Sequence, residues 1–149
     1  MKDKKIIFVY STKKNTQNTL KLLKTLQSTV KFDLIEIEKV KEEELTKYDI
    51  VGFASGIYYG RFAKKIINFI LDSKLKNLNV ILLSTAGGSS KIPHKKMKEL
   101  LKAKNWNYIS DFSTQAIDKF GPLKLFGGLN KDRPTKEEID SAKKWINSI

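Results

Sequence analysis

Three short stretches gather residues suited to a small anion or a flat ring. Ser11-Thr12-Lys13-Lys14-Asn15-Thr16 offers hydroxyls, an amide and two ammonium groups directly ahead of a predicted helix. A helix start presents unpaired N–H donors and a partial positive charge, so this loop suits a phosphate. Plain capping by the Asn or Thr side chain uses the same residues. Ser55-Gly56-Ile57-Tyr58-Tyr59-Gly60 brackets two tyrosines with glycines. A tyrosine there can lay its face on a flat ring or cover the core. Thr85-Ala86-Gly87-Gly88-Ser89-Ser90 is built of small residues, which let backbone approach a ligand closely or form a simple connector. Neither of the two common glycine-rich nucleotide loops follows the first predicted strand.

Other chemistries are poorly supplied. The chain has no cysteine, which excludes disulfides, thiolate metal sites, iron–sulfur clusters and a cysteine nucleophile. The single histidine, His94, rules out a histidine-rich metal site, and any serine–histidine–aspartate relay would have to use it. It stands beside Pro93 at a predicted helix start and is expected on the surface. No residue is assigned as a catalytic acid or base, and no metal is expected.

These stretches need elements to position them. Lys5–Tyr10, Asp49–Ala54 and Asn79–Ser84 are continuous apolar runs that read as buried strands, while Phe32–Ile37 and Asn105–Ser113 alternate and read as strands nearer an edge. Between them, helical spacing marks Thr16 to about Ser28, Phe62–Leu71 and a helix from Pro93 to about Lys104; Glu42–Lys47 allows only a short helix. Thr135 and Glu138 form a capping-box pattern ahead of a last helix, whose apolar face carries Ile139, Ala142 and Ile146. Ala116–Arg133 has no clear period and reads as a long loop. Strands alternating with helices imply an α/β parallel sheet covered on both faces, and the three stretches all leave strand ends. Ligands of such sheets bind beyond the carboxyl ends of the strands.

The chain has 149 residues, which suits one domain spanning 1–149. Its apolar runs are too short to cross a bilayer, and its start lacks a leader-like apolar segment, so a cytoplasmic location is expected. The formal net charge is +13, carried almost wholly by lysine, with Arg61 and Arg133 the only arginines. Nucleic-acid readers lean on the planar arginine fork, so nucleic acid is not the expected partner and a protein with an acidic docking face suits the charge better.

The three stretches together resemble the flavodoxin family. Ser11, Asn15 and Thr16 match its phosphate loop, whose usual Thr and Gly are replaced here by Lys13 and Lys14. Ser55–Gly60 and Thr85–Gly88 resemble the loops on either side of the flavin ring in a clostridial-type subgroup, related to flavodoxin-like protoporphyrinogen oxidases. Phe120-Gly121-Pro122, Gly127-Gly128-Leu129-Asn130-Lys131 and Arg133-Pro134 resemble the C-terminal part of that subgroup.

The resemblance implies a three-layer, flavodoxin-like open sheet of five parallel strands in the order 2-1-3-4-5. It implies FMN as cofactor. The phosphate would lie among Ser11, Thr12, Lys13, Lys14, Asn15 and Thr16. The ring would lie between Ser55, Gly56, Ile57, Tyr58, Tyr59 and Gly60 on one side and Thr85, Ala86, Gly87 and Gly88 on the other, with Tyr58 or Tyr59 stacking on it. The implied role is electron transfer with redox protein partners that present an acidic docking face. Two alternatives stand beside it: a flavin-dependent oxidoreductase that reduces a quinone, and a basic binding module that has lost its flavin.

Overall fold

The computed structural model describes residues 4–12, 17–85, 91–114 and 134–149. Its strands are β1 (Ile6–Ser11), β2 (Asp33–Glu36), β3 (Ile50–Tyr58), β4 (Arg61–Phe62), β5 (Asn79–Thr85) and β6 (Asn107–Ser113). Its α-helices are α1 (Asn18–Leu26), α2 (Lys64–Asp72), α3 (Ile92–Ala103) and α4 (Lys136–Asn147), with single-turn-type helices at Ile37–Lys39 and Glu42–Lys47.

The continuous apolar runs are strands buried on both faces, because successive side chains point to opposite sides. Ile7, Val9, Val51, Phe53, Val80 and Leu82 face one core, closed by Ile66 and Ile70 of α2 and Met97 and Leu101 of α3. Ile6, Phe8, Ile50, Ala54, Ile81 and Leu83 face the other, closed by Leu22, Leu23 and Leu26 of α1 and Ala142 and Ile146 of α4. The Phe8 ring fits only because its cross-strand partner is Gly52, where a Cβ would come within 2.4 Å of the ring.

The sheet order is β2-β1-β3-β5-β6, all parallel, with β4 paired antiparallel to β3 alone. With the two-residue β4 set aside, this is the expected 2-1-3-4-5, in which β5 and β6 are the fourth and fifth strands. The expected capping box is formed at α4: Glu138 N–H donates to Thr135 Oγ1, and Thr135 N–H donates to Glu138 Oε1.

Several sequence readings need correction. The stretch Ser55–Gly60, read as a loop, begins as strand. β3 continues to Tyr58 because Ser55 pairs with Ser11 on one side and Ser84 on the other, and Gly56 pairs with Thr85. Tyr59 and Gly60 then form a two-residue hairpin turn, both with positive φ (52° and 78°), the combination that suits the twist of antiparallel strands. Phe62 lies in β4, so the second helix starts at Lys64. Helix α1 is shorter than read, with Gln17 rather than Asn15 or Thr16 at its N-cap and no side-chain capping bond. The long-loop reading of Ala116–Arg133 falls outside the described residues.

One irregularity in β6 changes which way its side chains face. Val80 pairs with Tyr108, but Ile81 pairs with Ser110, so Ile109 is an extra residue bulged out of the ladder. Beyond it every β6 side chain faces the opposite side from the one that simple alternation from Tyr108 would give. Ser110 and Phe112 thereby face α4, where Trp145 Nε1 donates to Ser110 Oγ at 2.9 Å and the indole stacks on Phe112. Asp111 pairs with Leu82 and joins the α3 side.

Candidate functional site

The three strand ends that carry the predicted site lie side by side. Ser11 of β1, Ser55 of β3 and Ser84 of β5 form one row across the sheet, and Gly56 stands beside Thr85 in the next. The predicted residues Ser11, Thr12, Ser55, Gly56, Ile57, Tyr58, Tyr59, Gly60 and Thr85 are therefore gathered at the carboxyl end of the central strands. Lys13, Lys14, Asn15, Thr16, Ala86, Gly87 and Gly88 lie outside the described residues.

Side-chain ties fix this end of the molecule. Thr19 Oγ1 and Thr85 Oγ1 are 2.8 Å apart, joining the first turn of α1 to the last residue of β5. Ser55, fully buried, accepts the Ala63 N–H at 2.9 Å and donates to the Gly56 carbonyl, closing the β3–β4 hairpin against the start of α2. The Ser55 hydroxyl is thus spent on the protein itself. A Cβ at Gly56 would come within 2.8 Å of Tyr58 Oη, so a larger residue there would displace the end of the tyrosine side chain that covers it.

The two tyrosines take different places. Tyr58 is half-buried over Gly56, while Tyr59 at the hairpin tip is 99% exposed. An exposed aromatic face next to a glycine suits a flat conjugated ring. Of the two expected stacking candidates, Tyr59 has the more open face.

His94 overturns its sequence reading. It is 5% exposed, not a surface residue. Its Nε2 is 2.5 Å from Ser84 Oγ and its Nδ1 is 2.7 Å from Asp111 Oδ2. Its ring and that of Phe62 of β4 meet in a T-shaped contact, 5.2 Å between centroids. Asp111 also accepts from Tyr108 Oη at 2.5 Å, and Lys98 Nζ is 3.9 Å from it and lies over the Tyr108 ring. Burial alone would raise the Asp111 carboxyl, but hydrogen bonds from His94 and Tyr108 and the charges of His94 and Lys98 outweigh it and hold the group below the usual carboxylate range. Burial, then the bond to Asp111, pushes the Tyr108 phenol up.

Ser84, His94 and Asp111 stand in the order of an acyl-transfer relay. Ser84 is fully buried, however, so its hydroxyl meets no substrate. Sequence reasoning missed this cluster because the bulge at Ile109 is what brings Asp111 to the histidine.

A broad groove of about 1250 Å³ lies at the opposite pole, along the amino ends of β1 and β2, lined by Lys4, Lys5, Lys31 and Lys47 over Phe32 and Tyr48. Its lysines sit far from the strand ends that hold the three stretches. No group of histidine, cysteine and carboxylate side chains suited to a metal occurs among the described residues, nor any helix long and apolar enough to cross a membrane.

Comparison with known proteins places this geometry in context. A family model described as "Flavodoxin domain" matches residues 7–133. An uncharacterized protein of Methanocaldococcus jannaschii is 35% identical over 135 residues, covering 89% of this chain and 90% of that protein. Among solved structures, a flavodoxin from the domain Archaea superposes with a TM-score of 0.66 at 14% identity, covering 94% of this chain and 92% of its own. A flavoprotein from Lactobacillus acidophilus, solved in complex with FMN, superposes with a TM-score of 0.59 at 19% identity, covering 78% of this chain and 97% of its own.

Proposed function

The chain belongs to the flavodoxin domain family, and on that premise we propose that it binds FMN at the carboxyl ends of β1, β3 and β5 and acts in electron transfer. The observation that carries the reading is the row Ser11–Ser55–Ser84 with Gly56 beside Thr85, which sets three small-residue strand ends side by side at one edge of the sheet. In this reading the phosphate is held by Ser11, Thr12, Lys13, Lys14, Asn15 and Thr16 at the start of α1. Lys13 and Lys14 add positive charge where the dianion sits. The ring lies between Ser55–Gly60 and Thr85–Gly88, with Tyr59 stacked on it.

FMN, when bound, supplies the redox chemistry; the chain binds it, orients it and tunes its surroundings. The partner in this reading is a redox protein with an acidic docking face, in keeping with the net charge of +13. The reading includes an oxidoreductase role and a cytoplasmic location, the latter favoured by the lack of cysteine.

The test is direct. Purified protein freed of flavin is titrated with FMN while absorption and flavin fluorescence are followed. Saturable quenching with shifted visible bands is the expected result. Unquenched fluorescence at excess protein overturns the reading.

A further inference from the structure

Resting on the FMN reading, we propose that His94 is a positioning residue of the flavin site, a buried imidazole whose charge is coupled to that of the bound flavin. Its contacts join the β3–β4 hairpin to the end of β5, the described parts of the two stretches expected to flank the ring. Phe62, against its ring, belongs to the β3–β4 hairpin. Ser84, at its Nε2, is the residue before Thr85, where the third stretch begins. The histidine itself is the third residue of α3, the helix that follows that stretch.

Proton accounting shows how the imidazole can change charge in place. Asp111 as a carboxylate only accepts, so His94 Nδ1 carries a hydrogen in either state. When the ring is neutral, Nε2 accepts the Ser84 O–H. When it is protonated, Nε2–H donates to the same oxygen, because a hydroxyl serves as donor or acceptor. Neither partner has to move.

The groups facing the ring from each element are few. They are Ser84 of β5, Asp111 of β6 with Tyr108 bonded to it, Phe62 of β4, and Lys98 of α3, which approaches Asp111.

The bulge supports a functional reading over simple packing. An apolar side chain at position 94 would fill the same space, and a buried polar chain is not the more stabilising way to join three elements. Yet β6 carries an extra residue, Ile109, in a parallel pairing, and without it Asp111 would pair with Leu83 and face α4. Bulges are enriched beside active sites, where they re-aim a side chain. The side chain re-aimed here is the partner of the histidine.

The experiment uses the fact that the chain has one histidine. The His94 ring protons give a single NMR titration curve, recorded on the flavin-free protein and on protein saturated with FMN. Phosphorus NMR on the same samples follows the FMN phosphate, which keeps the two titrations apart. Linkage is reciprocal, so coupling to the negative charge of bound flavin reads out as an upward displacement of that curve on FMN binding. His94→Gln, whose amide can donate to Asp111 and accept from Ser84, should fold, bind FMN and lose the part of the affinity's pH dependence that follows the His94 curve.

Quenched flavin with a His94 midpoint unmoved to within about 0.1 pH unit overturns the coupling and leaves FMN binding standing. An unaltered pH profile in His94→Gln does the same. Absence of quenching overturns the FMN reading and this proposal together.

Discussion

The hydroxyls of Thr19 and Thr85 meet at 2.8 Å, although 66 residues separate them in the chain. Thr19 is 1% exposed, so its hydroxyl has been taken out of water and is satisfied by this contact. The bond ties the helix behind the phosphate stretch to the strand that opens the third stretch. Thr19→Val keeps the shape and removes one hydroxyl of the pair, leaving Thr85 Oγ1 without this partner. We expect a loss of about 1–2 kcal/mol in urea unfolding. The double variant with Thr85→Val should recover part of that loss, because both partners are then apolar. Strict additivity in the cycle would mean that the two hydroxyls do not interact.

Tyr59 offers a separation of stability from binding. Its φ of 52° is a region that asparagine tolerates better than tyrosine, and Asn-Gly is a favoured pair for this turn. Tyr59→Asn should therefore leave stability unchanged or raise it by up to about 1 kcal/mol. On the FMN reading the same change removes the stacking face, and the FMN dissociation constant should rise about tenfold. Thermal unfolding without flavin and fluorescence titration with FMN measure the two effects separately. Unchanged affinity would remove Tyr59 from the site.

What was legible in the sequence was whatever depends on near neighbours. Ile6–Val9 and Val80–Leu83 announce strands buried on both faces, and Thr135 with Glu138 announces a helix start; each signal fits within a few residues. Ser55 and Gly56 gave no such signal, since small polar residues at a strand end look like a loop. Their pairing with β1 and β5 decided the matter, and that pairing is distant in sequence. His94 was still less legible. A histidine beside proline at a helix start resembles a surface residue until the register of β6 is known. Only the extra residue at Ile109 reveals that Asp111 turns toward it. Ser11, Ser55 and Thr85 could be named from the ends of apolar runs, but their adjacency belongs to the sheet order.

Ser55 shows how a predicted ligand residue can serve the fold. Ser55→Ala leaves the buried Ala63 N–H without its acceptor. An unsatisfied buried donor costs about 1–3 kcal/mol, so the denaturation midpoint should fall accordingly. Hydrogen exchange at the Ala63 amide should speed up more than at amides of the β1–β2 pair, because the opening is local to the hairpin. A variant as stable as the parent would show that the hydroxyl contributes nothing to the hairpin closure.

The Asp111 carboxyl gives a pH prediction whose sign can be worked out. Its folded value is held below that of the unfolded chain, with the His94 and Tyr108 hydrogen bonds outweighing the effect of burial. A depressed carboxyl contributes stability that is fully present above the unfolded value, about 3.9, and is lost as pH falls through the folded value. The contribution should therefore hold from neutral pH down to about pH 5 and disappear progressively below about pH 4. Asp111→Asn removes the ionisation while keeping the shape. Its stability deficit against the parent should be largest near neutral pH and should narrow toward pH 3, as the parent's own carboxylate takes up its proton. Urea unfolding of both proteins at several pH values provides the comparison. A deficit that stayed constant with pH would show that the carboxylate charge contributes nothing, leaving only the neutral hydrogen bonds to join β6 to His94.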